Sequence, residues 1–150
     1  MSESGREHRI THIGICVSDL ARSVDFYVQG LGFVERSRLS VAGGPAQHLL
    51  DISELDLDMV YLEHSGLRIE LLHYKSPGID PDRSLQPMNR LGMTHFSIRV
   101  DQLEPMVERI LRAGGEVREE SRVEFEGRNR GVMTFDPDGV RIELIERVKS

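Results

Sequence analysis

Gly66-Leu67-Arg68-Ile69-Glu70-Leu71-Leu72 returns later in the chain as Gly139-Val140-Arg141-Ile142-Glu143-Leu144-Ile145. The two peptides share a glycine, an arginine and a glutamate at matching places, with apolar residues between them. Upstream of each stands a second matching pair: Thr11-His12 before Ile13-Gly14-Ile15, and Thr94-His95 before Phe96-Ser97-Ile98. Each half opens with a histidine and closes with a glutamate. Such a duplication predicts two like modules, and it can bring two imidazoles and two carboxylates to one centre. With only two copies, a many-unit repeat array is excluded.

The segments between these landmarks follow one plan. Arg9 to Val17 alternates as a strand, with Ile13, Ile15 and Val17 on one face and His12, Gly14 and Cys16 on the other. Asp19 is a plausible N-cap for a helix running to about Gln29, with Leu20, Val24, Tyr27, Val28 and Leu31 as its apolar stripe. Strands are expected at Phe33 to Val41, Ala46 to Asp51, Leu57 to Glu63 and Leu67 to Tyr74, with Gly43-Gly44-Pro45 as a turn. The second half repeats this order. A strand from Met93 to Asp101 leads to a helix from Leu103 to Ala113, stopped by Gly114-Gly115. Strands follow at Glu116 to Glu120, Arg130 to Phe135 and Val140 to Arg147. Setting aside Ala46 to Asp51, which falls within the extra length of the first copy, each half reads β-α-β-β-β, an α+β arrangement. The extra length of the first copy falls around Gly43 to Leu57. The expected organisation is a tail over residues 1–8, a first module over 9–74, a linker over 75–91 and a second module over 92–150. The linker carries Pro77, Gly78, Pro81 and Pro87 and is long for a connection, as lids and binding loops often are.

Composition narrows the function. The chain has 150 residues, one compact unit's worth, and its 39% apolar content supports a core. No apolar run approaches the roughly 18 residues of a membrane span, and the polar N-terminus has no hydrophobic signal stretch. A net charge of −6 argues against a nucleic-acid partner. Arg128 and Arg130 form a basic spot, offset by Glu124 and Glu126. Cys16 is the only cysteine, so no intrachain disulfide forms and a reducing, cytoplasmic setting is expected. Phosphate-loop, nucleophile-elbow and Cys-x-x-Cys motifs are all missing.

His12, Glu70, His95 and Glu143 are therefore the candidate metal ligands. Taken singly, each residue type reads as an ordinary core or surface residue; the repeated order of His then Glu is what singles them out. A carboxylate in an apolar strand is expensive to bury unless it is paired or bound to a cation. This mixed nitrogen and oxygen set suits one divalent ion, Zn²⁺, Ni²⁺, Co²⁺, Fe²⁺ or Mn²⁺. In octahedral geometry it leaves two positions for water or for two neighbouring substrate oxygens. His8, His48, His64 and His73 have no counterpart in the other half.

The chain resembles the vicinal oxygen chelate superfamily, which includes glyoxalase I, methylmalonyl-CoA epimerase, extradiol dioxygenases and the fosfomycin and bleomycin resistance proteins. The resemblance rests on His12-Ile13-Gly14-Ile15-Cys16-Val17-Ser18-Asp19-Leu20, Ser23-Val24-Asp25-Phe26-Tyr27 and Leu31-Gly32-Phe33. In the second half it rests on Thr94-His95-Phe96-Ser97-Ile98-Arg99-Val100-Asp101 and on the run from Phe135 to Leu144. It implies paired βαβββ modules curved into an open cup, and it puts the same four residues at the ligand positions. The His/Glu/His/Glu set is similar to bacterial glyoxalase I. The activity implied is that of a lyase or isomerase that chelates vicinal oxygens of a small molecule and stabilises an enediolate or enolate. Glu143 is then the first candidate for the base, with Glu70 handling the proton on the opposite face. On the cup face Leu72, Tyr74, Phe125 and Met133 would meet substrate, and Arg99 could bind its acidic group. A homodimer is expected by the same analogy. The alternatives within the fold are an extradiol-type ring-cleaving dioxygenase and a non-catalytic small-molecule binder.

Overall fold

The computed structural model describes residues 8–126 and 129–147, so the tail up to Glu7 and Arg128 of the basic spot lie outside the described residues. Two four-stranded sheets carry the architecture. β1 (Ile13–Cys16), β2 (Val34–Ala42), β3 (Asp56–His64) and β4 (Leu67–Ser76) pair in the order β1-β4-β3-β2. β5 (Phe96–Val100), β6 (Glu116–Glu124), β7 (Arg130–Phe135) and β8 (Arg141–Glu146) pair as β5-β8-β7-β6. In each sheet the opening strand lies parallel to the closing one, and the other pairs are antiparallel. These are the two α+β βαβββ modules implied by the repeat.

Two of the helices, the first and the last, occupy the apolar side of the sheets. α1 (Leu20–Asp25) starts at Asp19, whose side chain accepts from the Arg22 N–H and satisfies one of the free donors of the first turn. It continues as a π-helical turn over Phe26–Gly30, where the Leu31 N–H reaches the Phe26 carbonyl. Two consecutive aromatics, Phe26 and Tyr27, are buried in this turn. α3 (Leu103–Arg112) has no side-chain cap from Gln102. Instead Glu146 on β8 accepts from the Leu103 N–H at 2.6 Å, while Arg130 on β7 holds the same carboxylate at 2.7 Å.

One core joins the modules: Phe26, Tyr27, Phe33, Leu62 and Leu71 of the first lie in the same apolar cluster as Val107, Ile110, Ile142 and Leu144 of the second. Two polar clasps reinforce it. The Tyr27 hydroxyl donates to buried Asp136 at 2.8 Å. Asp138 accepts from the Ser18 N–H and hydroxyl, from Arg22, and from Arg83 of the connecting segment.

The structure corrects the sequence reading at Ala46 to Asp51. This stretch is part of α2 (Gly44–Leu50), not a strand. Pro45 sits in its first turn, where its missing N–H does no harm, and Asp51 ends the helix in the left-handed conformation. A short apolar run has no periodicity of its own to separate strand from helix. α2 is the extra length of the first copy. It lies over a second, smaller apolar cluster of Leu55, Leu57 and Met59, against which Ala46, Leu72 and Tyr74 pack. Among the described residues no helix is long and apolar enough to cross a membrane.

Candidate functional site

The face of each sheet turned away from α1 and α3 carries the predicted ligands, and in the first module they meet. β1 runs beside β4 so that Gly14 stands opposite Glu70. Gly14 has no side chain to fill the space over the carboxylate; a Cβ there would lie 3.2 Å from Leu72 Cδ1 and 4.0 Å from Glu70 Oε2. His12, two residues earlier, brings Nε2 to 3.1 Å from Glu70 Oε2. From the other side β3 sets Tyr61 opposite Glu70, and its hydroxyl donates to Oε1 at 2.5 Å. The Tyr61 and His12 rings meet edge to face at 5.4 Å. Burial, with the Glu70 carboxylate accepting its proton, pushes the Tyr61 hydroxyl up to about 12. Glu70, only 8% exposed, is thus held on both oxygens.

The second module repeats the strand register with different neighbours, and His95 makes no ion pair with Glu143 among the described residues. Ser97 stands opposite Glu143 and donates its hydroxyl to Oε1 at 2.8 Å. Met133 occupies the place that Tyr61 has in the first module. Glu143 is half-buried and has the looser hold. Thr94 Oγ1 lies 2.8 Å from His95 Nδ1, as Thr11 Oγ1 lies 2.9 Å from His12 Nδ1. In both copies the threonine takes up Nδ1; in the first copy Nε2 lies against Glu70.

The donor types fit a divalent ion, but a single chain does not assemble them around one point. Among the described residues, no group of three or more His, Cys, Asp or Glu side chains is placed to hold one metal ion. One chain thus presents a candidate His and Glu in each module, not one four-ligand centre among the described residues.

The other predicted residues are distributed unevenly. Leu72 and Tyr74 pack under α2 beside Glu70, and burial followed by Cys16 and Glu70 raises the Tyr74 hydroxyl. Met133 faces Glu143, and Phe125 is half exposed near Gly131. Arg99 lines a cleft of about 1060 Å³ with Asp101, Glu104 and Arg130 at the start of α3, away from the cleft that contains His95. That second cleft, about 410 Å³, runs between β1, the start of β5 and residues 82–86 of the connecting segment, and Arg141 lines it. The sequence reading gave Tyr61 and Arg141 no role at the site. Strand alternation put Arg141 on the Glu143 face, but only register and burial single the two residues out. Cys16, raised by partial burial and then by Asp138, is a poor nucleophile.

Comparison with known proteins agrees with this architecture. Residues 9–144 match the family described as the Glyoxalase/Bleomycin resistance protein/Dioxygenase superfamily. The chain is 30% identical over 146 residues to a probable chloroplastic lactoylglutathione lyase of Arabidopsis thaliana; the match covers 94% of this chain and 36% of that protein. It is 31% identical over 140 residues to the uncharacterized protein YwkD of Bacillus subtilis, covering 92% and 96%. Among solved structures, a glyoxalase family protein from Bacillus cereus superposes with a TM-score of 0.83 at 22% identity, covering 99% of this chain and 100% of that one. The fosfomycin resistance protein FosX of Listeria monocytogenes gives 0.63 at 18% identity, covering 94% of each. The chain belongs to the glyoxalase, bleomycin resistance protein and dioxygenase superfamily.

Proposed function

We propose that this protein is a metal-dependent lyase or isomerase of the glyoxalase type, and that two copies of the chain complete each metal centre. Its substrate on this reading is a small molecule with two neighbouring oxygens, met in the cytoplasm. The observation that carries the proposal is the doubled partial site, a threonine-held histidine and a glutamate in each module, with a third donor lacking among the described residues of one chain. A two-fold dimer that faces His12 and Glu70 of one copy toward His95 and Glu143 of the other supplies the full set twice.

A bound divalent ion supplies positive charge where negative charge develops on the substrate oxygens. The chain's own residues divide the remaining work. Glu70, fixed by Tyr61 and His12, is the stationary carboxylate. Glu143, held by one hydroxyl, has the freedom to leave its position and take a proton from the substrate carbon. Met133 and Leu72 keep the neighbourhood apolar, which strengthens each charge interaction there. A metal-free binder of small molecules is the second reading, favoured by the apolar cleft beside His95.

Elemental analysis of natively purified protein, alongside its mass by light scattering, tests the proposal. The expected result is a dimer holding one divalent ion per chain, with the metal lost in His12→Ala and in Glu143→Ala. Full occupancy in both variants rejects these ligands, and a metal-free wild type favours the binder.

A further inference from the structure

We propose that the cleft beneath residues 82–86 binds an amphipathic organic anion, with Arg141 holding its carboxylate and the apolar walls its body. Arg141 is 9% exposed, and its guanidinium donates to the Gln86 carbonyl. Among the described residues no carboxylate pairs with it. A guanidinium offers five donors and a permanent charge, and burying one without an acid is costly. The other charges of the cleft are already engaged. Asp138 accepts from Ser18, Arg22 and Arg83, and Asp82 accepts from the Ser84 N–H in its own turn. The surplus cation is therefore Arg141.

The walls suit the rest of such a ligand. Ile13, Ile15, Leu67, Phe96 and Val140 line the same space, and its volume of about 410 Å³ accommodates a small aromatic or branched acid. Residues 82–86 roof it, tied to the second module by Arg83 on Asp138 and by Gln86 on Arg141. His95 also lines the cleft, and Arg141 precedes Glu143 by two residues on the same strand face. A ligand anchored on Arg141 lies beside the candidate ligands of the second module. Binding itself needs no metal; that the bound anion is the substrate rests on the function proposed above.

The probes are 4-phenylbutyrate and its neutral counterpart 4-phenyl-1-butanol, titrated calorimetrically into protein stripped of metal with a chelator. Wild type is expected to bind the acid about tenfold or more tighter than the alcohol, the range of a charge-assisted hydrogen bond. Arg141→Met should erase that preference, and Arg141→Lys should retain part of it. Amide shifts induced by the acid should centre on Phe96 and Val140, not on Arg99; this readout uses wild type alone and stands even if a variant fails to fold. Equal binding of acid and alcohol to wild type, no measurable binding of the acid at millimolar concentration, shifts centred elsewhere, or a folded Arg141→Met that keeps the preference each overturns the proposal. His12→Ala should leave phenylbutyrate binding intact while losing metal, so failure of the metal reading and failure of this one are separate results.

Discussion

Tyr61 and Ser97 hold the two candidate glutamates with unequal strength, and the difference is measurable. Tyr61→Phe removes the donor from a buried carboxylate, a loss of about 1.5–3 kcal/mol for a hydrogen bond to a charged group. Ser97→Ala should lose less, because half-buried Glu143 can turn to water. Urea unfolding of the two variants checks the order; equal losses would mean Glu70 is no more firmly held than Glu143. The threonines make a second test. Thr11→Val and Thr94→Val should each weaken zinc affinity by roughly 10–100-fold, as loss of a hydrogen bond to a ligand's second nitrogen does, while Thr→Ser keeps it. A competition titration reads this, and unchanged affinity in both valine variants would deny them a role. At this scale the sequence was half legible. The repeat displayed Thr11-His12 and Thr94-His95 openly, whereas Tyr61 emerges only from the pairing of β3 with β4, which no local pattern encodes.

The elements meet through contacts that local propensity does not announce. α3 has no cap of its own and borrows Glu146 from β8, whose carboxyl is pulled below its ordinary 4.5 by Arg130 and then by the Leu103 N–H. A lowered carboxylate stabilises the fold above its unfolded value. The contribution of Glu146 is therefore present above about pH 4.5 and disappears as pH falls through the lowered value. In urea unfolding followed against pH, Glu146→Gln should flatten the acid limb below 4.5; a limb as steep as wild type would exclude this carboxylate as a contributor. The glycine pair after α3 divides its labour. Gly114 takes the left-handed cap, and Gly115 permits close packing: a Cβ there would lie 2.6 Å from Phe26 and 2.7 Å from the Phe135 carbonyl. Gly115→Ala should destabilise by about 1–3 kcal/mol through overpacking, read as a lower unfolding midpoint. The sequence marked both residues only as a helix stop. α2 was misread because Ala46 to Asp51 is short and apolar, although Pro45 in the first helical turn was the available signal.

On the scale of the whole molecule, one core and two clasps fix how the modules sit. Both sheets, α1, α3 and the βαβββ order could be read from the sequence, because alternation and turn residues are local properties. Where the four candidate ligands come to rest could not, because that depends on how module packs against module. The duplicated sequence leaves open whether a centre forms within one chain or between copies; among the described residues of one chain no three of the donors gather at one point. The decisive measurement is zinc binding by a mixture of His12→Ala and His95→Ala chains, unfolded together and refolded. If sites form between copies, a mixed dimer rebuilds one intact centre from the unmutated histidines. The mixture should then bind zinc tightly although neither variant does so alone. A mixture as inert as its components would contradict the shared site.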